Sequence, residues 1–535
     1  MAASATLTSP SAAAASPATA GADEKMDPRR LIAFFAMVFG MFMSILDIQI
    51  VSASLAEIQA GLGAGAEEVA WVQTSYLIAE VIMIPLSGTL ARIVSTRYLF
   101  AFSAAGFTAA SALAATATNI DQMIVYRAIQ GFIGGGMIPS VFAAAFTIFP
   151  PSKRAIVSPI IGLVATLAPT IGPTVGGYLS HAFSWHWLFL VNIIPGIIVT
   201  IVTFNFIDFD KPEFNLIKKF DWWGLASMAL FLGSLEYVLE EGNNKDWFND
   251  EKIVIGTLAI AIGAFVFFWR AFKVEFPVVD LKAFANRNFA FGSLFSFTMG
   301  IGLYGLTYLY PLYLARIRGY DSLMIGETMF VSGLAMFLTA PVAGAMSARM
   351  DPRIMMAMGF FGFGLGTWQM HFITADWDFY ELLVPQILRG VSLMICMVPI
   401  NNIALGTLPP ARIRNASGLF NLTRNLGGAV GLAIINTLIT QRTDEHYARL
   451  SEHVQWGNPE AISQMNNIAA TYNAHGMDGQ TIAIQKLAGM VRQQASVMSF
   501  ADIFLLLTGL FFSLIFLVML IKKPSAVPAS AGGGH

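Results

Sequence analysis

Apolar residues in this chain do not alternate with polar ones in short elements; they run on in long stretches. A helix needs roughly 20 apolar residues to cross the hydrocarbon of a bilayer. By that measure fourteen stretches qualify, near 31–53, 67–91, 98–117, 121–148, 155–180, 186–207, 222–240, 252–271, 288–315, 322–348, 354–373, 379–408, 413–440 and 498–522. The first is interrupted: "SILDIQIVSAS", Ser44 to Ser54, sets the acid Asp47 in an apolar run. A buried charge costs several kcal/mol unless it is compensated, so Asp47 either escapes burial or has a task.

Composition agrees with the pattern. The 535 residues are 56% hydrophobic and 12% charged, with a mean hydropathy of +0.64, a combination that indicates an all-α polytopic membrane protein. A net charge of -2 offers no basic surface for nucleic acid, and the single Cys396 leaves no disulfide or thiolate metal site and reads as a packing residue. Residues 1–28 hold few large apolar side chains and are expected to form a disordered cytosolic tail. A cleavable signal peptide would carry early positive charge and a shorter apolar core.

Basic residues orient the spans, because short loops rich in Lys and Arg stay cytoplasmic. With the N-terminus inside, the inner segments hold twenty, among them Arg92, Lys153, Arg287, Arg353 and Arg414, against four in short outer loops. Both termini are therefore expected in the cytoplasm. Internal similarity divides the chain further: "PLSGTLARIVSTR" from Pro85 and "PVAGAMSARMDPR" from Pro341 match at an offset of 256 residues, and "IGPTVG" matches "LGGAVG" at 255. Arg127 and Arg389 fall in corresponding spans. The expected organisation is a six-helix bundle over 29–208, a two-helix insert over 209–287 and a second six-helix bundle over 288–522 with an outer loop at 441–497, then a tail at 523–535. Two repeats around a central site are the usual build of an alternating-access transporter.

Five segments carry a resemblance: "LDIQIVSASL", "WVQTSYLIAEVIMIPLSGTLA", "YRAIQGFIGGGMIP", "APTIGPTVGGYL" and "WHWLFLVNIIPG". From about residue 30 to 522 the chain resembles the major facilitator superfamily, and within it the fourteen-span drug:proton antiporters of the EmrB and QacA type. The resemblance implies the major facilitator fold, export across a bacterial inner membrane, and a periplasmic adaptor and outer-membrane channel as partners. "GPTVGG", with Gly172, Pro173, Gly176 and Gly177, resembles the superfamily's export-associated motif. Physically it bares one helix face, and Pro173 frees a backbone carbonyl one turn earlier, which suits either a gating pair or a plain packing face. After span two the chain departs from the family pattern, with Arg92 and Ser95 where an Asp and a Gly are usual.

Asp47 and Arg127 both lie roughly 9 Å below the outer boundary at 1.5 Å per residue. Matched depth allows an ion pair, and the resemblance implies that Asp47 exchanges protons under the control of Arg127; a permanent structural salt bridge is the other reading. Glu80 and Arg424 sit near the midplane on spans that face each other across the halves, which suggests a pair made or broken during rocking. Glu80 also reads as a second proton site, as a recognition group for cationic drugs, or as a residue merely facing a wet cavity. Glu236, Glu327, Asp502 and His371 lie near outer ends, where interfacial water is in reach.

For a substrate cavity the informative stretch is "GIGLYGLTYLYPLY", in which Tyr304 and Tyr308 share a helix face. Gln49, Tyr76, Asn401, Asn421 and Arg424 are further candidates to line it, with Asn402 and Asn425 beside them, and Gln49 and Ser52 are expected to keep Asp47 wet. An aromatic wall suits amphipathic, aromatic small molecules. The combined expectation is a proton-coupled exporter of such compounds without a cofactor; the alternative is an exporter of one endogenous metabolite, such as a siderophore or fatty acid. A membrane enzyme or channel is disfavoured by the lack of a nucleophile, metal or Walker motif and by the two repeats. The 441–497 segment is too long for a plain connector; its start is expected to extend span thirteen as a helix, for docking or for capping the cavity.

Overall fold

Long apolar runs must satisfy their backbone internally once water is excluded, and a helix does this within one segment. In the computed structural model, which describes residues 27–149, 151–454, 457–473, 475 and 478–521, helices occupy all fourteen expected stretches, and no β-strand occurs among the described residues. They are α1 (Pro28–Ala53), α2 (Ala66–Val94), α3 (Thr96–Ala114), α4 (Ile120–Ile148), α5 (Pro151–Ala182), α6 (Trp187–Phe206), α7 (Trp222–Glu241), α8 (Glu251–Lys273), α9 (Arg287–Tyr313), α10 (Ser322–Arg349), α11 (Pro352–Met370), α12 (Phe379–Gly406), α13 (Pro410–Ser451) and α14 (Gly479–Val518). Twelve are long and apolar enough to cross a membrane; α3 and α11, of 19 residues each, fall short. Small residues lower their hydropathy: α3 is dominated by Ala, Ser and Thr, and α11 carries Gly359, Gly362, Gly364 and Gly366. Both tails expected from the sequence lie outside the described residues, apart from positions 27 and 28.

The internal repeat appears as repeated packing. In the first half α1 packs on α5, α2 on α4 and α3 on α6; in the second α9 packs on α13, α10 on α12 and α11 on α14. Across the halves α5 meets α10 and α2 meets α13, so each half lends equivalent helices to the other. The α7–α8 hairpin packs through α7 onto both α2 and α13, the helices that cross between halves.

Glycines set how closely these helices approach. A Cβ on Gly176 of α5 would lie 2.7 Å from the Ile50 carbonyl oxygen of α1, and one on Gly431 of α13 would lie 2.9 Å from Ile301 Cα of α9. "GPTVGG" and its copy are thus the equivalent crossing points of the two bundles. In α4 the helix is interrupted between Gly134 and Met137, and a Cβ on Gly135 would stand 3.0 Å from the Glu80 carbonyl oxygen of α2. That approach brings the middle of α2 beside Arg127.

At the end of the molecule that carries Arg92 and Arg414, here the basic end, the halves are locked together. Arg414 meets Asp210 at 3.1 Å, and Asp210 also accepts from the Thr96 amide at 2.8 Å and the Thr96 hydroxyl at 2.6 Å. Ser158 donates to Asn402 Oδ1 at 2.6 Å, and the Phe142 and Phe420 rings lie 6.2 Å apart. A Cβ on Gly418 would come within 2.9 Å of the Ile84 carbonyl oxygen.

The opposite end projects. At 1.5 Å per residue the 42 residues of α13 and the 40 of α14 reach about 60 Å each, roughly twice the hydrocarbon thickness. With the helix Pro459–Asn473 packed against α14, they turn most of the 441–497 segment into helix. His446 Nε2 lies 2.9 Å from Asp502 Oδ2, and Thr443 donates to Ser499 at 3.0 Å, joining α13 to α14. A cleft of about 290 Å³ between these three helices is lined by Tyr447, Ile462, Met465, Ile484 and Leu487.

The close α1–α5 crossing carries a direct prediction. Gly176→Leu must push α1 off α5, and such overpacking costs about 1–3 kcal/mol. The purified variant is expected to unfold several degrees below the wild type in a thermal melt; an unchanged melt would show that the crossing tolerates a side chain.

Candidate functional site

Asp47 is fully buried, and its compensation is complete. Arg127 Nη1 donates to Oδ2 at 2.6 Å, while Asn192 Nδ2 and Gln130 Nε2 donate to Oδ1 at 2.6 and 3.2 Å. Arg127 is equally buried. Its Nη1 also donates to Gln130 Oε1 at 2.6 Å and its Nε to the Val72 carbonyl at 3.2 Å, while the Tyr76 ring lies 4.2 Å from the guanidinium carbon. Gln130 passes a further hydrogen bond to Ser111 at 2.8 Å. Five helices, α1, α2, α3, α4 and α6, therefore converge on one carboxylate.

The local sequence explains the convergence. Arg127 and Gln130 are three residues apart on α4 and so share a face. Gly131, between the α2 and α4 backbones, leaves no room for a side chain against the Tyr76 carbonyl. Asn192 stands at the N-cap of the helical turn that begins at Ile193. A buried ion pair offsets its desolvation best when its remaining polar atoms are satisfied, and here one is left over: Arg127 Nη2 is buried and has no hydrogen-bond partner. The site is a carboxylate whose charged form is fully hydrogen-bonded, next to a guanidinium with one donor to spare.

Tyr76, expected to line a cavity, is instead fully buried between Arg127 and Ser44, whose hydroxyl is 3.4 Å from its own. Gln49 does not serve the Asp47 site either. Two residues along a helix is a rotation of about 200°, which turns Gln49 to the opposite face of α1, against Gly172 of α5. Ser52 is exposed.

A second polar group lies between the halves. Arg424 is buried, donates from Nη2 to Asn401 Oδ1 at 3.2 Å, and has its guanidinium carbon 5.3 Å from each of the Phe142 and Phe420 rings. The ion pair expected with Glu80 is not formed in this conformation: Arg424 turns toward Asn401 and the two rings instead. Glu80 is 2% exposed, with Oε1 lacking a hydrogen-bond partner. It lies within Coulombic range of Arg127 and Asp47. Tyr304 sits over Gly428, reaches Asn425 Oδ1 at 3.5 Å, and is within Coulombic range of Glu80, Arg424 and Glu236. Tyr308 is half-buried on the same face of α9, and Asn421 donates to the Ser417 carbonyl at 2.9 Å. Among the export-motif residues, Gly172 and Gly176 lie at the α1 crossing, Gly177 is buried and Pro173 half-buried.

Depth along a span misled for Glu236. Five residues from the end of α7, it is expected at interfacial water, yet it is 6% exposed because α7 presses into the gap between α2 and α13. Gln130, Asn192 and Asp210 escape the sequence reading, although Gln130 and Asn192 stand inside quoted motifs; a polar side chain in an apolar span, one turn from Arg127, is the signal that would have found Gln130. Glu327 is exposed, and His371 Nδ1 lies 3.1 Å from the Ala501 carbonyl oxygen.

Comparison with known proteins places this arrangement. The family model of the Major Facilitator Superfamily matches residues 37–432. The chain is 41% identical to the colistin resistance protein EmrB of Acinetobacter baumannii, over 92% of this chain and 96% of that protein. It is 30% identical to the multidrug export protein EmrB of Escherichia coli K12, over 94% and 98%, and 31% identical to the fatty acid resistance protein FarB of Neisseria gonorrhoeae, over 92% and 96%. Among solved structures, the human organic anion transporter MFSD10 shares the fold with a TM-score of 0.56 at 12% identity, covering 91% of this chain and all of that one. The proton:xylose symporter XylE does so with a TM-score of 0.55 at 12% identity, covering 91% and 96%. Helices, repeat and similarity agree: the chain is a membrane transporter, not an enzyme, and belongs to the major facilitator superfamily, in the branch that includes the EmrB proteins.

Proposed function

We propose that this protein is a proton-coupled antiporter that exports small amphipathic, aromatic compounds across a bacterial inner membrane. The observation that carries the reading is the buried Asp47–Arg127 pair at 2.6 Å, with Gln130 and Asn192 on the same carboxylate. A proton on Asp47 removes the charge that holds Arg127, Gln130 and Asn192 together. Arg127 retains the Gln130 oxygen, the Val72 carbonyl and the Tyr76 ring as partners, so the guanidinium stays in place while α1 is loosened from α4 and α6. α1 crosses α5 at Gly176, and α5 packs on α10 of the other half. A change at Asp47 thus reaches the interface between halves in two packing steps.

In this reading α3 and α11 also cross the bilayer, giving fourteen spans with both termini in the cytoplasm, as the excess of inner Lys and Arg favours. The basic end is then cytoplasmic, and its contacts through Arg414, Asn402 and Phe420 close the inner gate. Tyr304, Tyr308, Asn401, Asn421 and Arg424 form the substrate cavity, and Glu80 with Glu236 gives it an acidic side suited to lipophilic cations. The names of the EmrB relatives support drug export, and the name of the gonococcal relative supports a fatty acid as the alternative cargo. The α13–α14 projection is long enough to engage a periplasmic adaptor leading to an outer-membrane channel.

Two experiments test the reading. In proteoliposomes with an imposed pH gradient, Asp47→Asn is expected to lower gradient-driven transport of an amphipathic dye at least tenfold; gradient-driven transport at the wild-type rate would sink proton coupling through this residue. In an efflux-deficient strain, Glu80→Gln is expected to reduce resistance to lipophilic cations severalfold more than resistance to neutral compounds. Equal losses for both classes would remove Glu80 from recognition.

A further inference from the structure

The second half holds a counterpart of Arg127 without an acid beside it. Arg389 of α12 stands 262 residues after Arg127, and Thr307 of α9 stands 260 after Asp47. The geometry repeats too: Arg389 Nη2 donates to Thr307 Oγ1 at 2.7 Å, where Arg127 Nη1 meets Asp47 at 2.6 Å. A neutral hydroxyl has taken the place of the carboxylate.

The remaining surroundings do not supply the lost charge. Arg389 is 3% exposed, and its Nη1 is buried without a hydrogen-bond partner. The Tyr310 ring centre is 5.5 Å from its guanidinium carbon. One turn away on α12, Gln386 Oε1 is also buried and unbonded, while its Nε2 faces the sulfur of Met329 at 3.3 Å. None of the ion pairs among the described residues includes Arg389. The exposed Glu327 of α10 is on the opposite side from the fully buried Met329. A guanidinium stays protonated under all ordinary conditions, and a buried, uncompensated charge is strongly destabilising. Water completes a hydrogen bond but leaves the charge; an anion answers both.

We infer that Arg389, with Thr307 beside it, binds an exchangeable monovalent anion in the second half, which does for Arg389 what the Asp47 carboxylate does for Arg127 in the first. The ligand is either a small inorganic anion or the carboxylate of an amphipathic molecule, since one negative charge with a free acceptor lone pair is all the site requires. The inference is independent of proton coupling and of the direction of transport: it concerns the charge balance of a bundle, and it stands or falls without any transport assay.

Chloride and decanoate are the probes. Full-length protein is purified in detergent with gluconate as the anion, and its unfolding temperature is followed as chloride replaces gluconate at constant ionic strength, or as decanoate is added below its micellar range. The wild type is expected to show a saturable rise of a few degrees with at least one probe. Chloride alone raising it identifies an inorganic anion; decanoate raising it and competing with chloride identifies a carboxylate. Arg389→Gln is expected to abolish the rise. Thr307→Asp, which supplies the missing carboxylate in place, is expected to abolish it without lowering the unfolding temperature in gluconate, and carries the test if Arg389→Gln does not fold. A wild type indifferent to both probes, or a rise that survives in Thr307→Asp, overturns the assignment.

Discussion

The structure depends on the way one carboxylate is kept inside a membrane helix bundle. Asp47 is tolerated because Arg127 neutralises it and because Asn192 and Gln130 take up its other oxygen. None of the four is useful alone: removing either charge leaves the other buried and uncompensated, which typically costs about 3–5 kcal/mol. The tight approach of α2 to α4 at Gly131 and Gly135 lets the Val72 carbonyl and the Tyr76 ring of α2 hold Arg127 in place. A carboxylate so fully hydrogen-bonded in its charged form loses all three donors' common anchor when that charge is removed.

Close glycine crossings give the response somewhere to go. The α1–α5 contact at Gly176 and the α9–α13 contact at Gly431 are equivalent by the repeat, and the helices they carry, α5 and α13, are those that reach across to α10 and α2. The pairs that bridge the halves tie the packing around Asp47 to the interface between the bundles. The insert adds to this frame. By filling the space beside α2 and α13 with α7, it brings Glu236 within Coulombic range of Glu80 and Tyr304, so α7 shapes the central polar group.

Much of this was legible in the sequence, for definite reasons. Hydropathy marks the spans because backbone in lipid has few ways to be satisfied, and the residue count along two spans suffices to match Asp47 with Arg127 in depth. Depth is a one-dimensional coordinate, however, and three readings failed where rotation or packing decides. Gln49 shares the depth of Asp47 but faces α5; Glu236 is shallow but covered; Glu80 and Arg424 are level, yet in this conformation Arg424 turns to Asn401 and leaves Glu80 without a hydrogen bond at Oε1. The partners Gln130 and Asn192 were hidden for the opposite reason, since neutral amides in an apolar run raise no alarm. The long ends of α13 and α14 were only partly visible, because polar stretches such as "TDEHYARLSEH" continue a helix without any apolar signal of a span.

The central claim is that the proton bound and released during the cycle sits on Asp47. Proton release on adding a tightly bound amphipathic ligand to purified protein in weakly buffered detergent solution tests it most directly, with the dye-reported proton count compared between the wild type and Asp47→Asn at matched ligand occupancy. About one proton released per ligand bound is expected of the wild type and none of the variant. Equal release from both proteins would place the exchanging proton elsewhere and contradict it.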